Sequence, residues 1–198
     1  MHFTLTDLVT DITQNGAESG GDLVELFVSE TMDSNGKGEF RFTVKDNGKG
    51  MSEEELKRAQ DPFVTDGVKH PNRKVGLGLP FLIQTAEGSG GGWKMESNKR
   101  AEAAGPPGTE VSAWFDLGNV DTPPVGDIPG MFRTVLLLGG PSEMVIRRVR
   151  ESPPEGRVDY EVRKTELIDA LGDMEDAQSL ILLDKYLRSL EEPGDDIE

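Results

Sequence analysis

The sequence predicts a fold of the mixed α/β class, and three observations support this prediction. Apolar residues recur at helical spacing near the amino terminus, apolar and polar residues alternate strictly over residues 40–45, and a proline- and glycine-containing junction over residues 121–126 precedes further helix and strand patterns. We therefore expect one main domain over residues 1–119 and a C-terminal extension over residues 120–198.

The main domain is predicted to run in the order helix, hairpin, helix, loop, helix, hairpin. Leu5, Leu8, Val9 and Ile12 place one apolar face on a helix over residues 5–18. The later predicted elements are strands 23–30 and 39–45, helices 53–60 and 77–86, and strands 93–98 and 109–117. The alternation over the second strand indicates a half-buried strand that ends at Asp46.

The extension is predicted to contain a short helix capped by Asp127, a β-hairpin and two closing helices with an acidic tail. The first strand of that hairpin, residues 143–150, alternates Met144, Ile146 and Arg148 against the residues between them. Such a strand can pair with another subunit or complete the sheet of its own chain. We expect the extension to be a segment that docks a partner protein.

Composition narrows the class of partner. The chain carries 37 acidic and 21 basic residues, a formal net charge of -16, which argues against general binding to nucleic acid or to anionic lipid. It has no cysteine and two histidines, so disulfides and thiolate metal sites are excluded and a zinc centre is disfavoured. No apolar run reaches the roughly 20 residues that cross a bilayer. These features predict a cytoplasmic protein whose partners are small molecules and proteins.

The segment from Asp46 to Met51 combines a fixed carboxylate with a flexible backbone. Gly48 and Gly50 lie two apart, which lets the backbone approach a flat ligand where side chains would collide. A carboxylate at that position suits the amino group of adenine. The alternative is an ordinary turn, since Asp-Asn-Gly is a common sequence at the end of a strand.

A second glycine motif, Gly76-Leu77-Gly78-Leu79-Pro80, stands at a predicted helix start. Unpaired backbone N–H groups and the helix dipole favour phosphate oxygens there. The motif lacks the third glycine of a dinucleotide-binding fingerprint, and the chain has no Walker sequence. Together with the Asp46 segment, this motif predicts an ATP site.

Other polar residues are candidates for the phosphate end of that site. Asn15 and Asp11 are four apart on the first predicted helix, so their side chains share one face. The amide oxygen of Asn15 could ligate Mg²⁺ that bridges phosphates, and Asp11 could act as a base toward water or a partner hydroxyl. The alternative is an exposed helix face without a functional role.

The segment between the two glycine motifs carries Lys69, Arg73 and Lys74 within an otherwise acidic protein. Such a segment could close over polyphosphate, or it could be a solvated loop. Thr109 follows Gly108 into a predicted strand and could offer a hydroxyl near the base.

These motifs together resemble the GHKL superfamily, the ATP-binding fold shared by histidine kinases, gyrase-type ATPases, Hsp90 and MutL. The matches follow the order of that family and are the N box at Asn15, the first glycine box at Asp46, Gly48 and Gly50, the phenylalanine box at Asp61-Pro62-Phe63, the second glycine box at Gly76-Leu77-Gly78-Leu79, and the late pair Gly108-Thr109. The resemblance covers residues 5 to about 117.

The resemblance implies a two-layer α/β sandwich in which a mixed sheet backs three helices. It also implies that Asp46 binds adenine, that Asn15 holds Mg²⁺ and that the basic segment is a lid. The chain is most similar to histidine-kinase catalytic domains, and especially to small stand-alone ATP-binding proteins of anaerobic bacteria, sometimes encoded beside hydrogenase or other redox genes. Because only seven residues precede Leu8, we expect no dimerisation or phosphoacceptor domain.

Two functions remain open at this point. The first is a Mg-ATP-binding protein that transfers phosphate to a partner protein or uses ATP as a conformational signal. The second is a non-catalytic, ATP-sensing regulatory subunit of a larger complex, with a redox or hydrogenase complex as one candidate. Asp11 stands where the hydrolysing branches of the superfamily usually carry glutamate, so hydrolysis is expected to be slow or absent.

Overall fold

The computed structural model describes residues 3–60, 78–99, 105–154, 156–172, 174 and 176–192. In chain order the elements are α1 (Leu5–Ala17), β1 (Leu23–Met32), β2 (Gly38–Asp46), α2 (Glu53–Gln60), α3 (Gly78–Gly88), β3 (Gly92–Asn98), β4 (Gly108–Asp116), α4 (Ile128–Leu136), β5 (Glu143–Ser152), β6 (Gly156–Arg163), α5 (Lys164–Leu171) and α6 (Ala177–Leu190).

The strands form a mixed sheet of six in the order β3-β4-β2-β1-β5-β6. Strands β1 and β5 are parallel, and every other neighbouring pair is antiparallel. The first strand of the extension therefore joins the sheet of its own chain, which is one of the two pairings that the alternation left open.

One face of the sheet is covered by helices. Alternate residues of the central strands point to that face, as Val24, Leu26 and Val28 do on β1, and they are almost completely buried. The same hydrophobic cluster includes Phe132 of α4 and Leu187 of α6, so the core continues past residue 120. Burial of each such side chain contributes about 1.5–3 kcal/mol to stability.

Helix α1 begins at a complete capping box. The side-chain oxygen of Thr4 accepts from the backbone N–H of Asp7, and the Asp7 carboxylate accepts from the backbone N–H of Thr4. Its apolar face packs on β1, β2 and α4, which leaves the opposite, polar face free to approach α3. The fold thus fixes the helix on which Asp11 and Asn15 lie.

The predicted fold class is confirmed, since the chain forms a mixed sheet with helices packed against it. The observed bounds of most elements differ from the predicted ones by one or two residues, and the strand that ends at Asp46 is present as predicted. Of the helices in the described part of the chain, none has the length and apolar character needed to span a membrane.

Candidate nucleotide site

Three polar side chains form a row across the end of the sheet. Ser97 on β3 pairs with Thr109 on β4, and Thr109 pairs with Asp46 on β2. All three residues share the face of the sheet that the helices cover, in register with the buried Val24. Strand register therefore places a hydroxyl, a second hydroxyl and a carboxylate side by side.

Asp46 is buried, with 8% of its surface exposed. Its Oδ1 accepts the backbone N–H of Gly48 at 2.8 Å, and the Ser19 hydroxyl and the Thr109 backbone N–H also donate to the carboxylate. Burial raises the pKa of Asp46, and these three donors partly oppose the increase. The carboxylate is thus fixed in orientation, and its described partners are neutral.

The two glycines after Asp46 occupy positions without room for a side chain. A Cβ at Gly48 would collide with the side chain of Ser19, and one at Gly50 would collide with the backbone of Asn98. Gly50 also has φ +63°, a conformation that favours glycine. Tight packing of the turn against Ser19, just beyond α1, and against the end of β3 accounts for both glycines.

Asn47 anchors the same turn to the beginning of β1. Its Oδ1 accepts the backbone N–H groups of Asp22 and Leu23, each at 3.0 Å, and its Nδ2 donates to the Asp22 carboxylate at 2.6 Å. The Asp-Asn-Gly sequence therefore also serves the turn, as the alternative interpretation held, while the carboxylate of Asp46 points into the row.

Helices α1 and α3 meet at the other end of the candidate site. A Cβ added to Gly78, the first residue of α3, would lie 3.9 Å from the amide nitrogen of Asn15 and 3.9 Å from a carboxylate oxygen of Asp11. The α3 amino terminus thus faces both side chains, and the glycine leaves space between them. Burial, and secondarily the charge of Asp7, raises the pKa of Asp11.

One residue connects the two ends. Gly16 follows Asn15 on α1, and a Cβ built on Gly16 would lie 3.7 Å from the Cβ of Asp46. The close packing of α1 on the sheet at Gly16 therefore brings the last turn of this helix, on which Asn15 lies, next to Asp46. Within the described residues, no group of three or more His, Cys, Asp or Glu side chains could hold a metal ion.

Several predicted site residues cannot be placed. They lie outside the described residues and are Phe63, Lys69, Arg73, Lys74, Gly76 and Leu77. Leu79 is described and packs against the hydrophobic core from α3. The backbone N–H of Met51 donates to the Ser97 hydroxyl at 2.8 Å.

Sequence reasoning missed Ser19 and Ser97, both of which contact the predicted site. Ser19 lies just beyond α1 and also accepts the backbone N–H of Lys49 through its carbonyl oxygen at 3.3 Å. Neither serine belongs to a local motif. The register between β3 and β4 reveals Ser97, and the position of the residue just beyond α1 reveals Ser19.

The arrangement has the chemistry of a nucleotide-binding site. A buried acid and hydroxyls suit the polar edge of a base, whereas an amide and a helix amino terminus suit phosphates and their cation. The model for the family described as "Histidine kinase-, DNA gyrase B-, and HSP90-like ATPase" matches residues 3–119. The chain belongs to this family, which supports ATP binding.

A solved chain titled "Mycobacterial sensor histidine kinase MprB" is 22% identical, with 55% of this chain and 69% of that chain covered and a TM-score of 0.37. A comparison with curated proteins found no match.

Proposed function

We propose that this protein binds Mg-ATP at the Asp46 end of the sheet and either transfers the γ-phosphoryl group to a partner protein or uses ATP as a conformational signal. Family membership supports the nucleotide, and the arrangement of Asp46, Asn15 and Gly78 supports the site. We further propose that it acts in the cytoplasm.

In this proposal, Asp46 recognises the adenine ring. A carboxylate accepts hydrogen bonds only, so it favours the 6-amino group of adenine over the 6-oxo group of guanine. The existing bonds from Gly48 and Ser19 fix the direction of the carboxylate before ligand arrives. Preorganisation of this kind reduces the entropy lost on binding.

The triphosphate is held between α1 and α3. The amino terminus of α3 offers backbone N–H groups to phosphate oxygens, and the Asn15 amide oxygen is a hard ligand that suits Mg²⁺. Bound Mg²⁺ neutralises charge on the phosphates. We propose Asp11 as the base that accepts a proton from the attacking group, and Lys69, Arg73 and Lys74 as lid cations.

The observation that carries this proposal is the approach of Gly78 to Asn15 and Asp11. These residues belong to motifs more than sixty positions apart in sequence, and a Cβ on Gly78 would have the side chains of Asp11 and Asn15 as its nearest described neighbours. An exposed helix face without a functional role would have no reason to meet the second glycine motif in this way.

The alternative is a non-catalytic, ATP-sensing regulatory subunit of a larger complex. One structural observation favours it. The turn that carries Asp46 is bonded through Asn47 to the first residues of β1, and β1 pairs directly with β5 of the extension. Nucleotide binding can therefore be transmitted to the extension, which we propose docks the partner, without any phosphoryl transfer.

Calorimetry with ATP, in the presence and absence of Mg²⁺, tests the proposed site. We expect one nucleotide per chain, with tighter binding when Mg²⁺ is present. Absence of heat and of any thermal stabilisation by ATP would contradict the proposal.

A second experiment separates the two candidate functions. Protein and γ-labelled ATP are incubated alone and with cell extract, and phosphate release and labelled proteins are followed over time. A labelled partner that disappears with Asp11→Asn supports phosphoryl transfer. Tight ATP binding with neither label transfer nor phosphate release supports the regulatory subunit.

A further inference from the structure

Ser97 makes three hydrogen-bond contacts through a single hydroxyl. Its Oγ lies 2.8 Å from the backbone nitrogen of Met51, 3.1 Å from the carbonyl oxygen of Gly108 and 2.8 Å from Oγ1 of Thr109. These contacts join the Gly50–Met51 turn, β3 and β4. A serine hydroxyl has one proton to donate and two lone pairs that accept, so three bonds use it completely.

The direction of each bond follows from the partners. The Met51 N–H can only donate, and the Gly108 carbonyl can only accept. The Ser97 proton therefore goes to Gly108, and the remaining lone pair must accept the Thr109 proton. This is the one arrangement that satisfies all three contacts. In this arrangement the Thr109 hydroxyl can accept a hydrogen bond from a ligand, but it has no free proton to donate to one.

Two acceptors then stand next to each other, because Thr109 and Asp46 are directly paired across β4 and β2. Side chains so paired have Cβ atoms about 5 Å apart. An amino group that donates two hydrogen bonds of about 2.9 Å at about 120° also requires acceptors about 5 Å apart. The oxygen atoms of two side chains so paired can reach that separation, so the pair can accept the two N–H bonds of one exocyclic amino group.

We propose that Ser97 is a positioning residue that makes the site selective for a 6-aminopurine, by holding the Thr109 hydroxyl as an acceptor beside Asp46. The inference rests on the proposed function, since it presumes that the base lies over this row. Without Ser97, the Thr109 proton is free to turn toward the ligand, and the preference for an amino group weakens.

The test compares ATP with purine riboside triphosphate, which lacks the 6-amino group. Calorimetry with Mg²⁺ gives the ratio of the two affinities for the wild type and for Ser97→Ala. We expect the ratio to fall about five- to tenfold in Ser97→Ala, the effect of one hydrogen bond. A purely structural role, such as anchoring the Met51 turn, would weaken both nucleotides equally and leave the ratio unchanged.

Four further variants complete the design. Ser97→Thr retains the hydroxyl on a strand that tolerates β-branched residues, and it should restore the ratio. Thr109→Val should lower the ratio as much as Ser97→Ala, and the double variant should lower it no further. The matched control is Ser112→Ala, which removes a hydrogen bond of 2.8 Å to Thr43 on the opposite face of the sheet and should leave the ratio unchanged.

The outcomes distinguish a failure of the proposed nucleotide binding from a failure of the role assigned to Ser97. If the wild type binds neither nucleotide, the proposed function fails and this inference fails with it. If the wild type prefers ATP and the preference persists in both Ser97→Ala and Thr109→Val, the role of Ser97 is overturned while the proposed function stands.

Discussion

The two ends of the helix-covered face each bury a charged side chain, but they provide it with different partners. At the end of β2, the Asp46 carboxylate is bonded to neutral donors from Gly48, Ser19 and Thr109. Toward the other end, Arg148 on β5 is 1% exposed and donates to the carboxylates of Glu30 at 2.7 Å and Glu191 at 3.3 Å. Among the described residues, the charge of Arg148 thus has carboxylates as partners, whereas the charge of Asp46 has neutral donors.

The difference indicates which end serves stability and which end serves a ligand. Burial of a charge is costly unless opposite charges and hydrogen bonds offset it. Glu30 and Glu191 offset the cost for Arg148, and Tyr160 adds a bond of 2.6 Å to Glu191. Asp46 lacks such a counter-ion among the described residues, and its pKa is raised. A ligand that brings N–H donors would offset the remaining cost at that end.

The largest effect on stability is expected from Arg148→Met, which leaves the half-buried carboxylates of Glu30 and Glu191 without the buried cation that they share. We expect the free energy of unfolding to fall by about 3–5 kcal/mol, measured by urea denaturation. Arg147→Met is the matched control, because the neighbouring side chain is 56% exposed and its change should be small. Equal stability of the two variants would contradict the stabilising role assigned to the Arg148 end of the sheet.

Asp46→Asn is expected to have the largest effect on the ligand. Asparagine keeps the shape and can still accept from Gly48, but its amide nitrogen cannot accept from adenine. We expect ATP affinity to fall about 30- to 100-fold, with stability unchanged or slightly increased because a buried charge is removed. Glu110→Gln, beside Thr109 on the open face of the sheet, should bind ATP as the wild type does.

The pKa values of two carboxyl groups, Asp46 and Asp159, are expected to shift in opposite directions. We expect a ¹³C titration to find the midpoint of Asp46 above 3.8, raised by burial, and that of Asp159 on β6 below 3.8, lowered by its hydrogen bond to Arg157. The contribution of Asp46 to the free energy of unfolding should fall as pH rises from 3.8 toward the pKa of Asp46 in the native state. The reason is that the native state binds the carboxyl proton more tightly than the unfolded state does. The contribution of Asp159 to the free energy of unfolding should be lost as pH falls below 3.8, because the unfolded state binds the proton of this carboxyl more tightly than the native state does.

The smallest effect is expected from Arg157→Gln at the exposed edge of the sheet. Arg157 bonds Asp159 at 2.7 Å with 57% of its own side chain exposed. Removal of its charge should raise the titration midpoint of Asp159 toward 3.8 and leave the unfolding midpoint unchanged within error. A large loss of stability would show that exposed pairs, and not the Arg148 cluster, stabilise this edge.

Local patterns predicted the elements and half of the candidate site. The alternation that ends at Asp46 and the four-residue spacing of Asp11 and Asn15 are local features, and the structure has both. The row of Ser97, Thr109 and Asp46 depends on the register of β4 with β3 and with β2, and the pairing of Thr109 with Asp46 joins strands far apart in sequence, which no local pattern encodes.

The buried arginine illustrates the same limit on the extension. Both faces of β5 carry an arginine, Arg147 on one and Arg148 on the other, so alternation could not tell which face is the core. Burial of Arg148 is decided by Glu30 and Glu191, which lie 118 and 43 positions away in sequence. Only the folded chain brings these carboxylates to it.

A ¹⁵N NMR titration with Mg-ATP tests most directly whether the nucleotide binds at the Asp46 end. We expect the largest amide shifts at Gly48, Met51, Ser97 and Thr109, saturating at one nucleotide per chain, with small shifts at Arg148. Shifts centred on Arg148, or a spectrum that ATP does not change, would contradict the account.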